Sequence, residues 1–91
     1  MKLKQSPPFI RAAKKLLKRN TALKENLRLT LALLEKDEFH PRLKTHKLKP
    51  SHNDSWSCSV AYDLRIIFRF VDVDGEEVIL LQTIGTHDDV Y

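Results

Sequence analysis

From Trp56 to Val71 the chain runs Trp56-Ser57-Cys58-Ser59-Val60-Ala61-Tyr62-Asp63-Leu64-Arg65-Ile66-Ile67-Phe68-Arg69-Phe70-Val71, and its side chains alternate with a period of two. Trp56, Cys58, Val60 and Tyr62 alternate with Ser57, Ser59 and Ala61; Leu64, Ile66, Phe68 and Phe70 then alternate with Arg65, Ile67, Arg69 and Val71. Successive residues of a strand point to opposite faces, so this period reads as two strands with one apolar face each. Asp74-Gly75 comes next, a pair that tolerates the positive φ angles of a tight hairpin, and Val78 to Ile84 reads as the returning strand. If Leu64, Ile66, Phe68 and Phe70 face a core, Arg65 and Arg69 lie on the opposite face of the sheet.

Upstream the period changes. Ser6-Pro7-Pro8 has a capping hydroxyl before two prolines suited to a first helical turn. Phe9, Ala12, Ala13, Leu16 and Leu17 recur at helical spacing, with Arg11, Lys14, Lys15, Lys18 and Arg19 on the other side. Asn20-Thr21 interrupts this helix, and Thr21 with its neighbours is expected to cap a second, running to about Asp37. Its apolar stripe is Leu23, Leu27, Thr30, Leu31 and Leu34, broadened by Leu29 and Leu33. Glu38 to Asp54 reads as a loop with one short strand near Thr45–Leu48, and Met1 to Gln5 as a short edge strand. The expected fold is α+β: an N-terminal helical hairpin packed on one face of a small twisted, mainly antiparallel sheet, forming a single domain over residues 1–91.

Composition narrows the function. At 91 residues the chain is long enough for one core without staples. Its single cysteine excludes an internal disulfide, and no apolar run approaches the roughly 20 residues of a membrane span. The N-terminal lysines lead into no apolar signal segment; a cytoplasmic location is the expectation. Residues 1–50 carry 14 of the 16 Lys and Arg and 4 of the 12 Asp and Glu, a balance of +10. Residues 51–91 carry 2 and 8, a balance of −6. A basic half attracts polyanions, RNA first among them.

Ile84-Gly85-Thr86-His87-Asp88-Asp89-Val90-Tyr91 delivers an imidazole and a phenol to the end of the last strand. With His46, Asp63 and Arg65 they form a set suited to acid–base chemistry on a phosphodiester. Cleavage of RNA by its own 2′-hydroxyl needs a base, charge stabilisation at phosphorus and an acid for the leaving 5′-oxygen. Histidine does either proton transfer near neutrality, and arginine is a permanently charged fork for phosphate. Trp56 and Cys58 read as packing residues, and His40 and His52 as solvated loop residues. The histidine spacing matches no zinc signature, so no metal or other cofactor is expected. Only two glycines occur, which excludes a phosphate-cradling glycine loop.

In this order, the helical hairpin, Leu43-Lys44-Thr45-His46-Lys47-Leu48, Trp56-Ser57-Cys58-Ser59-Val60, Tyr62-Asp63-Leu64-Arg65-Ile66-Ile67-Phe68 and Gly85-Thr86-His87 with Tyr91 resemble the RelE/ParE toxin superfamily. The YafQ-like branch of mRNA interferases fits best. The resemblance implies a bacterial type II toxin that enters the ribosomal A site and cuts mRNA, and that a cognate antitoxin holds inactive by covering its basic groove. It implies His46 and His87 for proton transfer, Asp63 as base or orienting group, Arg65 for transition-state charge and Tyr91 for substrate positioning. Lys14, Lys15, Lys18, Lys44, Lys47 and Arg69 become candidate contacts to ribosome and RNA. A toxin monomeric without its antitoxin is expected. Ser59 stands where the YafQ-like pattern has a further histidine, and Trp56 and Cys58 where RelE carries lysines. Two other readings share the fold: a ParE-like gyrase-binding toxin without nuclease activity, and an inactive antitoxin-binding module.

Overall fold

The computed structural model describes residues 1–49 and 54–91. A short strand β1 (Leu3–Gln5) leads into helices α1 (Pro7–Arg19) and α2 (Leu23–Lys36). A 3₁₀ turn (Pro41–Leu43) then precedes strands β2 (His46–Lys47), β3 (Trp56–Ala61), β4 (Leu64–Val73) and β5 (Glu76–Thr86), and the single-turn helix α3 (His87–Val90). The sheet order is β1-β5-β4-β3-β2. β1 runs parallel to β5, and every other pair is antiparallel.

The helices begin and end for local reasons. Ser6 Oγ accepts the Phe9 N–H at 3.2 Å, and Pro7-Pro8 occupy the first turn, as the sequence suggests. The break between helices differs from expectation. Thr21 caps nothing; Asn20 Oδ1 accepts the Ala22 N–H at 3.2 Å, and α2 starts at Leu23 without a side-chain cap. An Asx-type turn at Asn20 therefore replaces the threonine cap. Leu27, Thr30 and Leu34 of α2 are buried, whereas Leu29, expected to broaden the apolar face, is 52% exposed and does not belong to it.

The core is built as the period-two reading requires except at Ala61, which a bulge at Val60 turns to the core side. Leu64, Ile66, Phe68 and Phe70 pack with Phe9, Leu27, Leu34, Cys58, Ile79 and Leu81 between the helices and one sheet face. Trp56 joins that side, edge-on to Phe39 and Phe70. Cys58 is fully buried, and burial pushes its thiol up to about 12. Asp74 and Gly75 both adopt positive φ, 53° and 83°, and Asp72 Oδ1 accepts the Gly75 N–H at 2.8 Å. The aspartate-glycine pair thus closes the β4–β5 hairpin.

One irregularity matters for the site. Ile67 pairs with Thr83 and Phe68 with Leu81, so Gln82 is an extra residue in β5. Such a bulge bends the strand and re-aims the residues beyond it. Gln82 is pinned on both sides: its carbonyl accepts from Ser6 Oγ at 3.1 Å and its Oε1 from Ser55 Oγ at 2.8 Å. β1 pairs with β5, and Leu3 packs on the core while Lys4 and Gln5 stay exposed and guard the edge. Among the described residues no helix is long and apolar enough to cross a membrane.

Candidate active site

β5 does not simply end at His87. Thr86 Oγ1 accepts the Asp89 N–H at 3.3 Å, and Asp89 Oδ2 accepts the Thr86 N–H at 3.0 Å, a reciprocal capping box. His87 is therefore the first residue of a helical turn rather than the tail of a strand. The signal for this turn, the Thr-x-x-Asp spacing, stands in the sequence directly behind the strand's apolar run. The Thr86 main chain and side chain hold the Asp89 carboxyl below its usual range, aided by Lys15 and Arg19 on α1. Gly85 lets the turn fold back: a Cβ there would sit 2.7 Å from Asp89 Cβ. A third anchor is Asp63, whose Oδ1 accepts the His87 N–H at 3.4 Å.

Tyr91 comes directly after α3. Its N–H donates to the His87 carbonyl at 3.0 Å, and its hydroxyl donates to Ser57 Oγ. The His87 and Tyr91 rings meet edge to face with centroids 4.4 Å apart. His87 Nδ1 lies 3.8 Å from Asp88 Oδ1, leaving Nε2 free of protein partners among the described residues.

His46 reaches the same place from the opposite edge. The His40 Nδ1 accepts the Arg42 N–H at 3.1 Å and caps the 3₁₀ turn, so His40 has a structural task. The turn ends at Lys44, held at φ 51°, and β2 begins. His46 pairs with Ser57, so both side chains share the sheet face away from the helices. His46 Nδ1 lies 3.0 Å from the Lys44 carbonyl oxygen. A carbonyl only accepts, so Nδ1 is the donor in this contact, and in the neutral ring the lone pair is then on Nε2. His46, Lys47, Leu48, Lys49, His87 and Tyr91 line one cleft of about 470 Å³.

Arg65 and Asp63 line a neighbouring hollow of about 350 Å³ with Lys44, Ser59, Ala61 and Tyr62. Arg65 Nη1 donates to Ser59 Oγ at 3.1 Å, so the serine standing where the resemblance has a histidine holds the arginine. Of the expected set, His46, His87 and Tyr91 come together in one cleft. Asp63 and Arg65 stand next door, with Asp63 touching the His87 main chain and not its imidazole. The two hollows are joined through Lys44, whose carbonyl holds His46, and through Asp63, which holds α3.

Sequence reasoning missed Ser57 and read Ser59 only as a departure from the YafQ-like pattern. The period of two places both on the arginine-bearing face, but short hydroxyls in an alternating strand look like spacers. Tyr62 is a correction: expected on the apolar face of β3, it stands in the β3–β4 turn, 101% exposed. Lys14 and Lys18 are exposed on α1, Lys15 lies beside Asp89, and Lys47 Nζ is 3.6 Å from Asp54 Oδ1 in an exposed pair. Arg69 is half-buried, its Nε without a partner among the described residues. His52 lies outside the described residues. Among those described, no three His, Cys, Asp or Glu side chains converge as metal ligands would.

The family model described as the bacterial toxin of type II toxin–antitoxin systems, YafQ, matches residues 1–91. No curated protein matches the chain by sequence. YafQ from E. coli strain BL21(DE3) superposes with a TM-score of 0.79 at 19% identity, over 98% of this chain and 96% of that one. A chain of the E. coli DinJ–YafQ complex gives 0.79 at 21% identity, over 98% and 96%. A YoeB/ParE toxin from Agrobacterium tumefaciens gives 0.77 at 16% identity, over 96% and 99%. Identities this low carry the fold and no more.

Proposed function

The chain belongs to the YafQ family of toxins of bacterial type II toxin–antitoxin systems, and from that premise we propose that it is a ribosome-dependent endoribonuclease whose own side chains perform 2′-hydroxyl attack on mRNA without a metal. The observation that carries this reading is the single cleft lined by His46, His87 and Tyr91, brought together from β2 and the chain end. Two imidazoles facing one hollow are what in-line transesterification needs.

In this reading His46 Nε2 removes the 2′-hydroxyl proton, its ring held by the Lys44 carbonyl. The 2′-oxygen attacks phosphorus and the bond to the 5′-oxygen breaks. His87, in its protonated form, donates from Nε2 to that leaving oxygen. The products are a 2′,3′-cyclic phosphate and a free 5′-hydroxyl, with the two histidines having exchanged protonation states. Arg65, oriented by Ser59, offers its guanidinium to the charge on phosphorus. Tyr91, tethered to Ser57, orients the substrate and supports the His87 ring. Asp63 acts as a positioning residue through the His87 main chain.

Lys14, Lys18, Lys44, Lys47 and Arg69 are the candidate cations for ribosomal RNA and message. A cognate antitoxin is the proposed partner; relatives solved as a DinJ–YafQ complex support that assignment. The cell's cytoplasm, where ribosomes translate, is the corresponding location. The test is to induce the chain in growing bacteria, map mRNA 5′ ends on translating ribosomes, and assay gyrase supercoiling in parallel. Codon-phased cuts that vanish with His87→Ala support the proposal. Gyrase inhibition without cuts replaces it by a ParE-like action, and silence in both leaves an inactive antitoxin-binding module.

A further inference from the structure

Tyr62 has no part in the mechanism above, yet its setting is unusual. At 101% exposure it packs on nothing, although a phenol ring is among the side chains that gain most from burial. It is fixed at the tip of a short turn between two long strands, directly before Asp63 at φ 56°. Tyr62 borders the hollow that Lys44, Ser59, Asp63 and Arg65 also line. Two cations there stand against one carboxylate, and that carboxylate is turned to the His87 N–H. An exposed aromatic face beside converging cations matches an unpaired nucleotide, whose base stacks while its phosphate meets Lys and Arg.

We propose that Tyr62, Lys44 and Arg65 form a subsite for the nucleotide next to the scissile bond of the message, its base stacked on the Tyr62 ring and the scissile phosphate it carries held by Lys44 and Arg65. The proposal rests on the RNA-cleaving reading of the adjoining cleft. It explains why the expected set is split between two hollows. The cleft with His46 and His87 handles proton transfer at the attacking and leaving oxygens, and the hollow with Arg65 and Tyr62 holds the non-bridging oxygens of the same phosphate and the base beside it. Tyr62 is on this account a determinant of base preference, because stacking strength differs among bases.

The test separates binding from cleavage. A mixed-sequence trinucleotide carrying 2′-O-methyl groups throughout lacks the attacking hydroxyl, so its binding is read by NMR whether or not the chain cleaves RNA. The Tyr62 ring resonances of the native chain are expected to shift on titration. Tyr62→Ala is expected to weaken binding roughly fivefold to a hundredfold, with Tyr62→Phe within about twofold of native because only the ring face is used. On translating ribosomes, Tyr62→Ala should flatten the base preference at one position flanking the cut. Unchanged trinucleotide affinity in Tyr62→Ala, with a motionless Tyr62 signal, overturns the subsite. Unchanged trinucleotide affinity together with weakened ribosome binding also overturns it, and assigns the ring to ribosomal RNA instead. Loss of all cleavage in the native chain, with the trinucleotide still bound through Tyr62, would sink the nuclease reading and leave the nucleotide site standing.

Discussion

Gly85→Ala puts one methyl group into the contact that lets α3 fold back on β5. The added Cβ would lie 2.7 Å from Asp89 Cβ, 3.1 Å from Asp89 Oδ2 and 3.2 Å from Val90 Cγ1. Carbon atoms rest at about 3.5–4.0 Å, so α3 must retreat by roughly 1 Å. Gly85 has no left-handed φ, so the substitution acts through this contact and not through backbone strain. The retreat loosens the Thr86–Asp89 capping box and carries His87 and Tyr91 with it. A displacement of that size at reacting groups costs on the order of 10²-fold in rate. Stability should change little, because α3 is a four-residue turn outside the buried cluster, so the melting midpoint should move by less than the roughly 4–8 °C that a loss of about 1 kcal/mol produces. The assay is single-turnover cleavage of a message in translating ribosomes, paired with thermal melting by circular dichroism. Cleavage at the native rate by a folded Gly85→Ala chain would refute the claim that this close approach positions His87.

Gly75→Ala should behave in the opposite way, since nothing lies within 4 Å but φ is 83°: stability falls by about 1 kcal/mol while the cleavage rate of the folded chain stays native. The Asp89 carboxyl is depressed from 3.8 by its bonds to Thr86. A depressed acid stabilises the folded turn above its ordinary pKa, and that contribution disappears as pH falls through the lower folded value. The Thr86 amide proton followed by NMR should therefore hold its hydrogen-bonded position below pH 3.8 before collapsing, and an earlier collapse contradicts the capping box. Cys58, with its thiol pushed up to about 12 by burial, should resist iodoacetamide at pH 8 in the folded chain and react promptly in denaturant. Replacing Lys14 and Lys18 by Gln should weaken ribosome binding and flatten its salt dependence, leaving the melting midpoint unchanged because both side chains are exposed.

The sheet is legible because β3 and β4 alternate so cleanly and Asp74-Gly75 permits only a few turn geometries. The same alternation assigns the face of Arg65 correctly. It misassigns Ala61 and Tyr62 because a bulge at Val60 breaks the period of two: Ala61 pairs with Leu64 and packs on the core, and Tyr62 falls into the turn. Thr21 reads as the cap of α2 because threonine is a good cap by composition, but the local geometry lets Asn20 satisfy the exposed N–H first. The site is legible as residue types and illegible as a constellation. Which of His46, Asp63, Arg65, His87 and Tyr91 meet depends on β2 lying beside β3 and on α3 folding back over Gly85. The first is a pairing between segments that no local pattern announces, His46 with Ser57; the second is local, but a Thr-x-x-Asp spacing says only that a turn starts and not what it packs on. Ser57 and Ser59 are hidden for a chemical reason: a serine declares its role only when its partner, Tyr91 or Arg65, is in view.

The most direct measurement concerns the ends of the cut RNA. A message programmed into translating ribosomes is prepared with ordinary ribose throughout, and again with a single 2′-deoxy sugar at the cleaved nucleotide. Native chain and His87→Ala are compared at single turnover. Proton transfer by His46 and His87 during 2′-hydroxyl attack requires a 2′,3′-cyclic phosphate, or the 3′-phosphate its hydrolysis leaves, and a 5′-hydroxyl from the native chain. It also requires no cleavage of the deoxy message and at least a hundredfold slower cutting by His87→Ala, on the order expected for loss of a general acid. A 5′-phosphate product, or equal cleavage of the deoxy message, would contradict it.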